Sequence, residues 1–283
     1  MTNEQLDILS LGVGWQSSAL YFMSALGELP RIDYAIVSDV GGEPKTFHWY
    51  LKFMLQWQKE NNGPEIIVTN SKNLEKDLLN NTNSDGNRFS SIPAFTKNDD
   101  GSTGMLRRQC TGEYKIEQVD KAIRNIYGLK PRARNIPTRI WKGITADELV
   151  RIDKPGDKWK TLVYPFCGYE LNSTDKPKQL AFGKIMHRNE LPSWFRLHNL
   201  PLPSKSSCKF CPYHSDTNWL DLKTNAPDDF ADAVKIDYAI RNSTEKGINN
   251  PIYLHRSLKP LDQVQFDETQ NIPFGECSGT CNT

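Results

Sequence analysis

The chain has 283 residues, 37% of them hydrophobic and 24% charged, and carries 35 Lys/Arg against 34 Asp/Glu. That is enough apolar surface for one large α/β domain or two small ones, and it excludes a disordered or collagen-like chain. A net charge of +1 favours no class of partner, so any basic surface has to be local. No apolar run approaches the roughly 18–20 residues that span a bilayer, and the start, MTNEQLDILSLG, lacks the basic region of a signal peptide. The expectation is a cytoplasmic protein without a membrane segment.

Leu6–Val13 is a short apolar segment followed at once by a glycine-containing turn, and Ser17–Leu26 carries apolar residues at helical spacing. Tyr34–Asp39 predicts a second strand. Gly41 and Gly42 then lead into Pro44–Asn61, an aromatic-rich helix opened by proline. Glu65–Thr69 predicts a third strand. Strand–helix alternation at this spacing implies parallel strands joined by right-handed crossovers, hence a doubly wound sheet that binds ligands at the carboxyl ends of its strands. Asn80–Gly104 is polar and aperiodic, as long functional loops are. Gly112–Tyr127 predicts a helix, Ile140–Ile144 a strand and Ala146–Ile152 another helix. Further helices are expected near Pro177–Arg188 and over Asp228–Asn242. A nucleotide-binding unit over 1–155 and a cysteine-bearing helical extension over 156–283 are the expected domains.

Ser10-Leu11-Gly12-Val13-Gly14-Trp15-Gln16-Ser17-Ser18 joins the first strand to the first helix. Glycines there let backbone N–H groups approach an anion at the positive end of a helix, and Ser17 and Ser18 add hydroxyl donors. The spacing satisfies neither GxGxxG nor the Walker A pattern, so on spacing alone the segment is equally an ordinary strand-to-helix turn. From Met105 to Lys160 the chain holds 14 Lys/Arg and 7 Asp/Glu. This local basic excess is either a solvated surface or a surface for phosphates, including a nucleic-acid backbone through Lys121, Arg124, Lys130, Arg132, Arg134 and Arg139. Six cysteines, at 110, 167, 208, 211, 277 and 281, point to metal, cluster or sulfur chemistry rather than disulfides in a reduced compartment. Cys208-x-x-Cys211 and Cys277-x-x-x-Cys281 each present two thiols, which suit an iron–sulfur cluster or zinc. Cys167, between Phe166 and Gly168, is expected in the core, and His214 at a surface helix start. Trp194, Phe195 and Trp219 are expected to pack around the cysteine segment. The sequence displays no Ser-His-Asp arrangement.

Ser10–Ser17 resembles the PP-loop of the N-type ATP pyrophosphatases and the phosphoadenylyl-sulfate reductases, S-x-S-G-G-x-D-S. Ser10, Gly14 and Ser17 match, whereas Gly12, Val13 and Gln16 depart from it. Three further segments follow in the family's order. Ser38-Asp39-Val40-Gly41 with Glu43, Pro44 and Thr46 is similar to the turn beside the nucleotide. Arg108-Gln109-Cys110-Thr111 with Lys115 is similar to a cysteine–basic segment, and Gly143–Glu148 with Arg151 to a phosphate-reaching region. The resemblance implies a Rossmann-like parallel sheet of the adenine nucleotide alpha-hydrolase type. It implies ATP and Mg²⁺ on Ser10, Gly12, Gly14, Gln16, Ser17, Ser18 and Asp39, with charge stabilised by Arg108, Lys115 and Arg151. It also implies a [4Fe–4S] cluster on Cys110, Cys208, Cys211 and Cys277, zinc being the alternative, which leaves Cys281 to carry sulfur. The expected activity is adenylation of an acceptor for sulfur transfer, the acceptor being a nucleic acid, as in DNA phosphorothioation or tRNA thiolation, and the sulfur donor a cysteine desulfurase. The alternatives are a reductase that releases sulfite using Cys277 in Glu276-Cys277, and a nucleotide-sensing module without catalysis.

Overall fold

The computed structural model describes residues 4–90, 92–242 and 248–267. Its centre is a seven-stranded sheet in the order β3-β2-β1-β6-β7-β8-β9. Strands β1 (Asp7–Ser10), β2 (Tyr34–Ser38), β3 (Glu65–Thr69), β6 (Thr138–Trp141) and β7 (Lys160–Tyr164) run parallel. Strands β8 (Tyr169–Leu171) and β9 (Lys178–Gln179) close one edge antiparallel. The β1 and β2 segments, DILS and YAIVS, are rich in β-branched and aliphatic residues, as strands covered on both faces must be. A small second sheet, β10-β4-β5, pairs Phe95–Lys97 (β4) with Thr103–Met105 (β5) and Ile252–Tyr253 (β10).

On one face, helices α1 (Trp15–Ala25) and α2 (Lys45–Glu60) pack with α5 (Leu191–Leu197), giving a core that includes Leu9, Phe22, Tyr50, Trp141, Trp194 and Phe195. On the other, α4 (Glu117–Ile126) lays Val119, Ala122 and Ile123 on Ile8, Ile36, Ile140 and Leu162. A third core joins α3 (Leu74–Leu79), α6 (Asp216–Asn225) and α7 (Pro227–Ile240) around Leu78, Tyr114, Phe210, Trp219 and Ile236. Among the described residues no helix is long and apolar enough to cross a membrane.

Several expected elements change form. The boundary expected at residue 155 falls between β6 and β7, which are hydrogen-bonded neighbours, so the sheet continues into the expected extension. The helix expected near Pro177–Arg188 is instead the short strand β9 and a turn. There Gly183 passes so close to Gly168 that an added Cβ would lie 2.7 Å from its Cα, and a regular helix would not leave that approach open. Gly112–Tyr127 begins as a π-helical turn, Thr111–Ile116, before becoming α4, and Ala146–Arg151 is a 3₁₀ turn. The polar stretch 80–104 contains β4 and the start of β5, with tertiary pairing to β10 supplying what local periodicity lacked. Trp194 and Phe195 belong to the α1–α2 core, whereas Trp219 packs with the cysteine segment, against which Cys110 and Cys208 also lie.

Candidate functional site

A cleft opens at the carboxyl ends of β1, β2 and β6, the position that parallel-sheet topology assigns to ligands. Its floor is the β1–α1 loop. Val13, a β-branched residue, is held at φ 58° with its side chain buried, a conformation that costs on the order of 1–3 kcal/mol and persists where the surroundings over-determine it. Gly143 backs the loop, since a Cβ there would lie 2.6 Å from the Ser17 backbone nitrogen. Helix α1 starts at Gly14 with no side-chain cap and no acidic residue in its first turn. Its first N–H groups are therefore donors for an anion. Ser17 Oγ accepts from Gly12 N–H at 3.1 Å and so fixes the loop across its mouth.

Ser10, Gly12, Gly14, Gln16, Ser17, Lys115 and Arg151 all line the cleft. Three other expected residues lie outside its lining. Ser18 is buried, its hydroxyl 3.7 Å from the Met54 sulfur. Asp39 accepts from Gly41 N–H at 2.9 Å, bracing its own turn beside His48. The Arg108 guanidinium stacks over the Tyr213 ring, 5.2 Å from its centroid. Sequence reasoning missed Lys142, Lys160, Arg188 and Lys205, which also line the cleft. A signal was available for two of them. Lys142 follows Ile140, and Lys160 precedes Leu162, at the period of two that marks one face of a strand.

Lys115, Lys142, Lys160, Arg151, Arg188 and Lys205 oppose Glu43, Asp120 and Asp157 in this lining, a positive excess suited to a polyanion. At the mouth, Gln16 donates to Glu148, which also pairs with Arg151 at 2.7 Å and Arg188 at 3.5 Å. Gln16 thus meets a carboxylate from the Ala146–Arg151 turn.

The segment carrying Cys208 and Cys211 is fastened onto the loop. Trp15 Nε1 donates to Pro203 O at 2.6 Å, the Ser206 hydroxyl donates to Gly12 O, and Lys209 N–H donates to Gly42 O at 2.9 Å. Cys208 Sγ lies 4.0 Å from Glu43 Oε1, the same oxygen that pairs with Lys115 at 3.3 Å. Burial, reinforced by the Glu43 charge, pushes the Cys208 thiol well above its usual range, and the thiols of Cys211 and Cys110 add to the shift. Cys110, Cys208 and Cys211 therefore share one neighbourhood beside Glu43. Among the described residues no three His, Cys, Asp or Glu side chains converge as a metal ion requires. The three thiols suit a thiolate-held group in kind, but as placed they do not converge on one point. Cys277 and Cys281 lie outside the described residues.

Cys167 is buried, and burial raises its thiol to about 11. His214 precedes α6; its Nε2 contacts Cys208 O at 2.9 Å, and its buried Nδ1 has no hydrogen-bond partner among the described residues. Ser257, His255 and Asp216 do form a chain, with contacts of 2.8 and 3.2 Å. The Ser257 backbone N–H shares the same imidazole nitrogen at 3.2 Å, and the chain lies away from the cleft, so it reads as a brace for α6. In the basic stretch, Arg124 donates to the carbonyls of Lys130 and Ala133, and Arg139 pairs with Asp7 and Glu170, whereas Lys121, Lys130, Arg132 and Arg134 are exposed. No family model matches this chain, and no curated protein matches it.

Proposed function

We propose that the cleft binds ATP with its triphosphate on the Gly12–Ser17 loop, and that the protein is an ATP pyrophosphatase serving sulfur transfer. The observation that carries this reading is the junction of two chemistries. An anion cradle with a cationic lining is joined through Glu43 and Lys115 to a neighbourhood of three thiols.

In the proposed reaction an acceptor oxygen attacks the α-phosphorus of ATP, and the bond to pyrophosphate breaks. Backbone N–H groups of α1, Lys115 and Arg151 stabilise the negative charge passing to the leaving group. A hydrosulfide nucleophile then displaces AMP from the activated acceptor, leaving sulfur in place of oxygen. Mg²⁺, when bound with the nucleotide, would neutralise phosphate charge. Cys110, Cys208 and Cys211 would supply thiolates to a [4Fe–4S] group or to zinc, which would bind the hydrosulfide as a further ligand. A nucleic-acid acceptor accords with the exposed Lys121, Lys130, Arg132 and Arg134, and a cysteine desulfurase would supply the sulfur as a persulfide, from which a thiol reductant, itself oxidised to a disulfide, would release the hydrosulfide.

The test is a competition titration, on protein purified without oxygen, of ATP with Mg²⁺ against phosphoadenylyl sulfate. Preference for ATP supports the reading. Preference for phosphoadenylyl sulfate replaces it with the sulfite-releasing reductase, and tight ATP binding without turnover beside any acceptor replaces it with a nucleotide sensor.

A further inference from the structure

The cleft does not end at the phosphate loop. It continues beneath α4 along one face of the sheet, walled by Ile36, Ile140 and Leu162 from the strands and by Ile116 and Val119 from the helix side. The far end is polar. Lys160 pairs in register with Thr138, whereas Lys142 lies four residues further along β6, which separates the two ends by about 13 Å of strand. The Lys160 ammonium bonds Asp120 Oδ2 and Asp157 Oδ2, each at 2.7 Å, with only 8% of its side chain exposed. Asp120 is more open than Lys160, at 26% side-chain exposure, and it lines the cleft. A buried lysine held by two carboxylates at the end of an apolar slot needs an account, because an ion pair is costly to remove from water.

An apolar slot whose polar end sets a carboxylate, Asp120, beside an ammonium, Lys160, matches the edge of an aminopurine. Its ring packs between aliphatic side chains, while its amino group and the adjacent ring nitrogen need an acceptor and a donor. We propose that Asp120 and Lys160 form the base-reading end of the site, Asp120 accepting from the exocyclic amino group and Lys160 donating to the ring nitrogen. This rests on the nucleotide reading of the cleft and deepens it. The triphosphate lies on the β1–α1 loop, the ribose passes Ser38 and Lys142, and the base lies against the cleft-facing edge of the core at Ile36, Val119, Ile140 and Leu162. Asp157 keeps Lys160 oriented and, on a half-exposed loop, bounds the slot. A base that lacks the amino group leaves the Asp120 carboxylate without its partner, and such an unmet polar group lowers affinity. Guanine presents the inverse pair, O6 accepting and N1–H donating, so exchange of one natural purine for the other alters two groups at once and the informative comparison is loss of the amino group alone.

The test uses the full chain and four probes with Mg²⁺ in a calorimetric titration: ATP, purine riboside 5′-triphosphate, adenosine and tripolyphosphate. The expected result is that ATP binds about 10- to 100-fold more tightly than purine riboside triphosphate, the worth of one hydrogen bond to a charged group. In Asp120→Asn, whose amide oxygen still accepts but carries no charge, that ratio falls to about 2- to 10-fold, while tripolyphosphate affinity stays within about threefold, since the substitution lies far from the phosphate loop. Equal affinity of the unmodified protein for the two triphosphates overturns the base-reading role and leaves the nucleotide reading standing. Failure of every probe to bind overturns both. The comparison in the unmodified protein decides the matter even if Asp120→Asn does not fold.

Discussion

The phosphate loop and the thiol neighbourhood adjoin, yet they are built in different ways. The loop is contiguous: Ser10 to Ser17 connect one strand to one helix, and Gly143 behind, Glu148 beside, and Pro203 and Ser206 above brace a segment that is already a single run of sequence. The thiols come from separate segments. Cys110 stands at the entry to the π-helical turn, and Cys208 and Cys211 sit on a strap held by the Gly42 carbonyl and by Phe210 packed on Gly42. A contiguous site is fixed once its strand and helix form, whereas an assembled one depends on the packing of distant elements. Perturbing each should therefore give different signatures.

The largest effect is expected behind the loop. Gly143→Ala places a methyl group 2.6 Å from Ser17 N and 2.9 Å from the Gln16 carbonyl carbon, and backbone cannot rotate away as a side chain can. We expect a loss of about 3 kcal/mol, the upper end of overpacking, in urea unfolding, together with loss of ATP binding. An alanine variant as stable as the parent would show that the loop is not braced from behind.

Arg151→Met should strike affinity rather than the fold. Removal of one charged donor to phosphate is expected to weaken ATP about 10- to 100-fold while adenosine affinity is unchanged. Glu148 keeps Arg188 and Gln16 as partners, so the unfolding midpoint should move little. Equal weakening of adenosine and ATP would remove Arg151 from the phosphate end.

This contrast also explains what the sequence could disclose. The three leading strands, α1, α2 and the loop were legible because period-two and helical patterns, proline and glycine all lie within single elements. Ser10, Gly12, Gly14, Gln16 and Ser17 accordingly line the cleft. Ser18, adjacent to Ser17, turns inward because successive helical residues point about 100° apart, so hydroxyl chemistry alone could not separate the two. Arg108 and Asp39 stand in segments that resemble the family's, yet Arg108 stacks on Tyr213 and Asp39 braces its own turn, contacts that depend on tertiary packing and local turn geometry. Lys205 and Ser206 could not be assigned from local pattern, since only the folding of the strap onto Gly12 brings them to the loop. The helix expected near Pro177–Arg188 failed for the same reason in reverse: local apolar spacing gave way to a backbone crossing at Gly168 and Gly183.

On the thiol side, Gly42→Ala meets the Phe210 ring at 2.4 Å, a side chain rather than backbone, but one buried in the third core. The ring has to shift and carry the strap with it. A loss of about 1–2 kcal/mol is expected, with faster labelling of Cys208 by a thiol reagent and little change in ATP affinity. Unchanged labelling would mean that Phe210 does not position the strap.

The smallest expected effect is a pH dependence confined to the thiol side. His255 is buried behind α6, and burial holds its pKa below 6.5 although Asp216 opposes the shift and Arg256 adds to it. The charges facing the ring are Asp216, Arg256 and, more distantly, Asp237. Below pH 6.5 the unfolded chain takes up a proton that the folded chain resists, so stability falls as the pH drops through this range and is flat with respect to this group above it. In His255→Gln this part of the slope disappears, leaving a smaller change in unfolding free energy between pH 7 and pH 5 than in the parent. Because Asp216 opens α6 directly after the strap, hydrogen exchange corrected for its intrinsic pH dependence should show α6 losing protection at pH 5 while α1, fixed by the loop and the sheet, keeps it. Equal loss in both helices would mean that the loop and the strap unfold as one body, and the distinction between contiguous and assembled walls would then have no energetic counterpart.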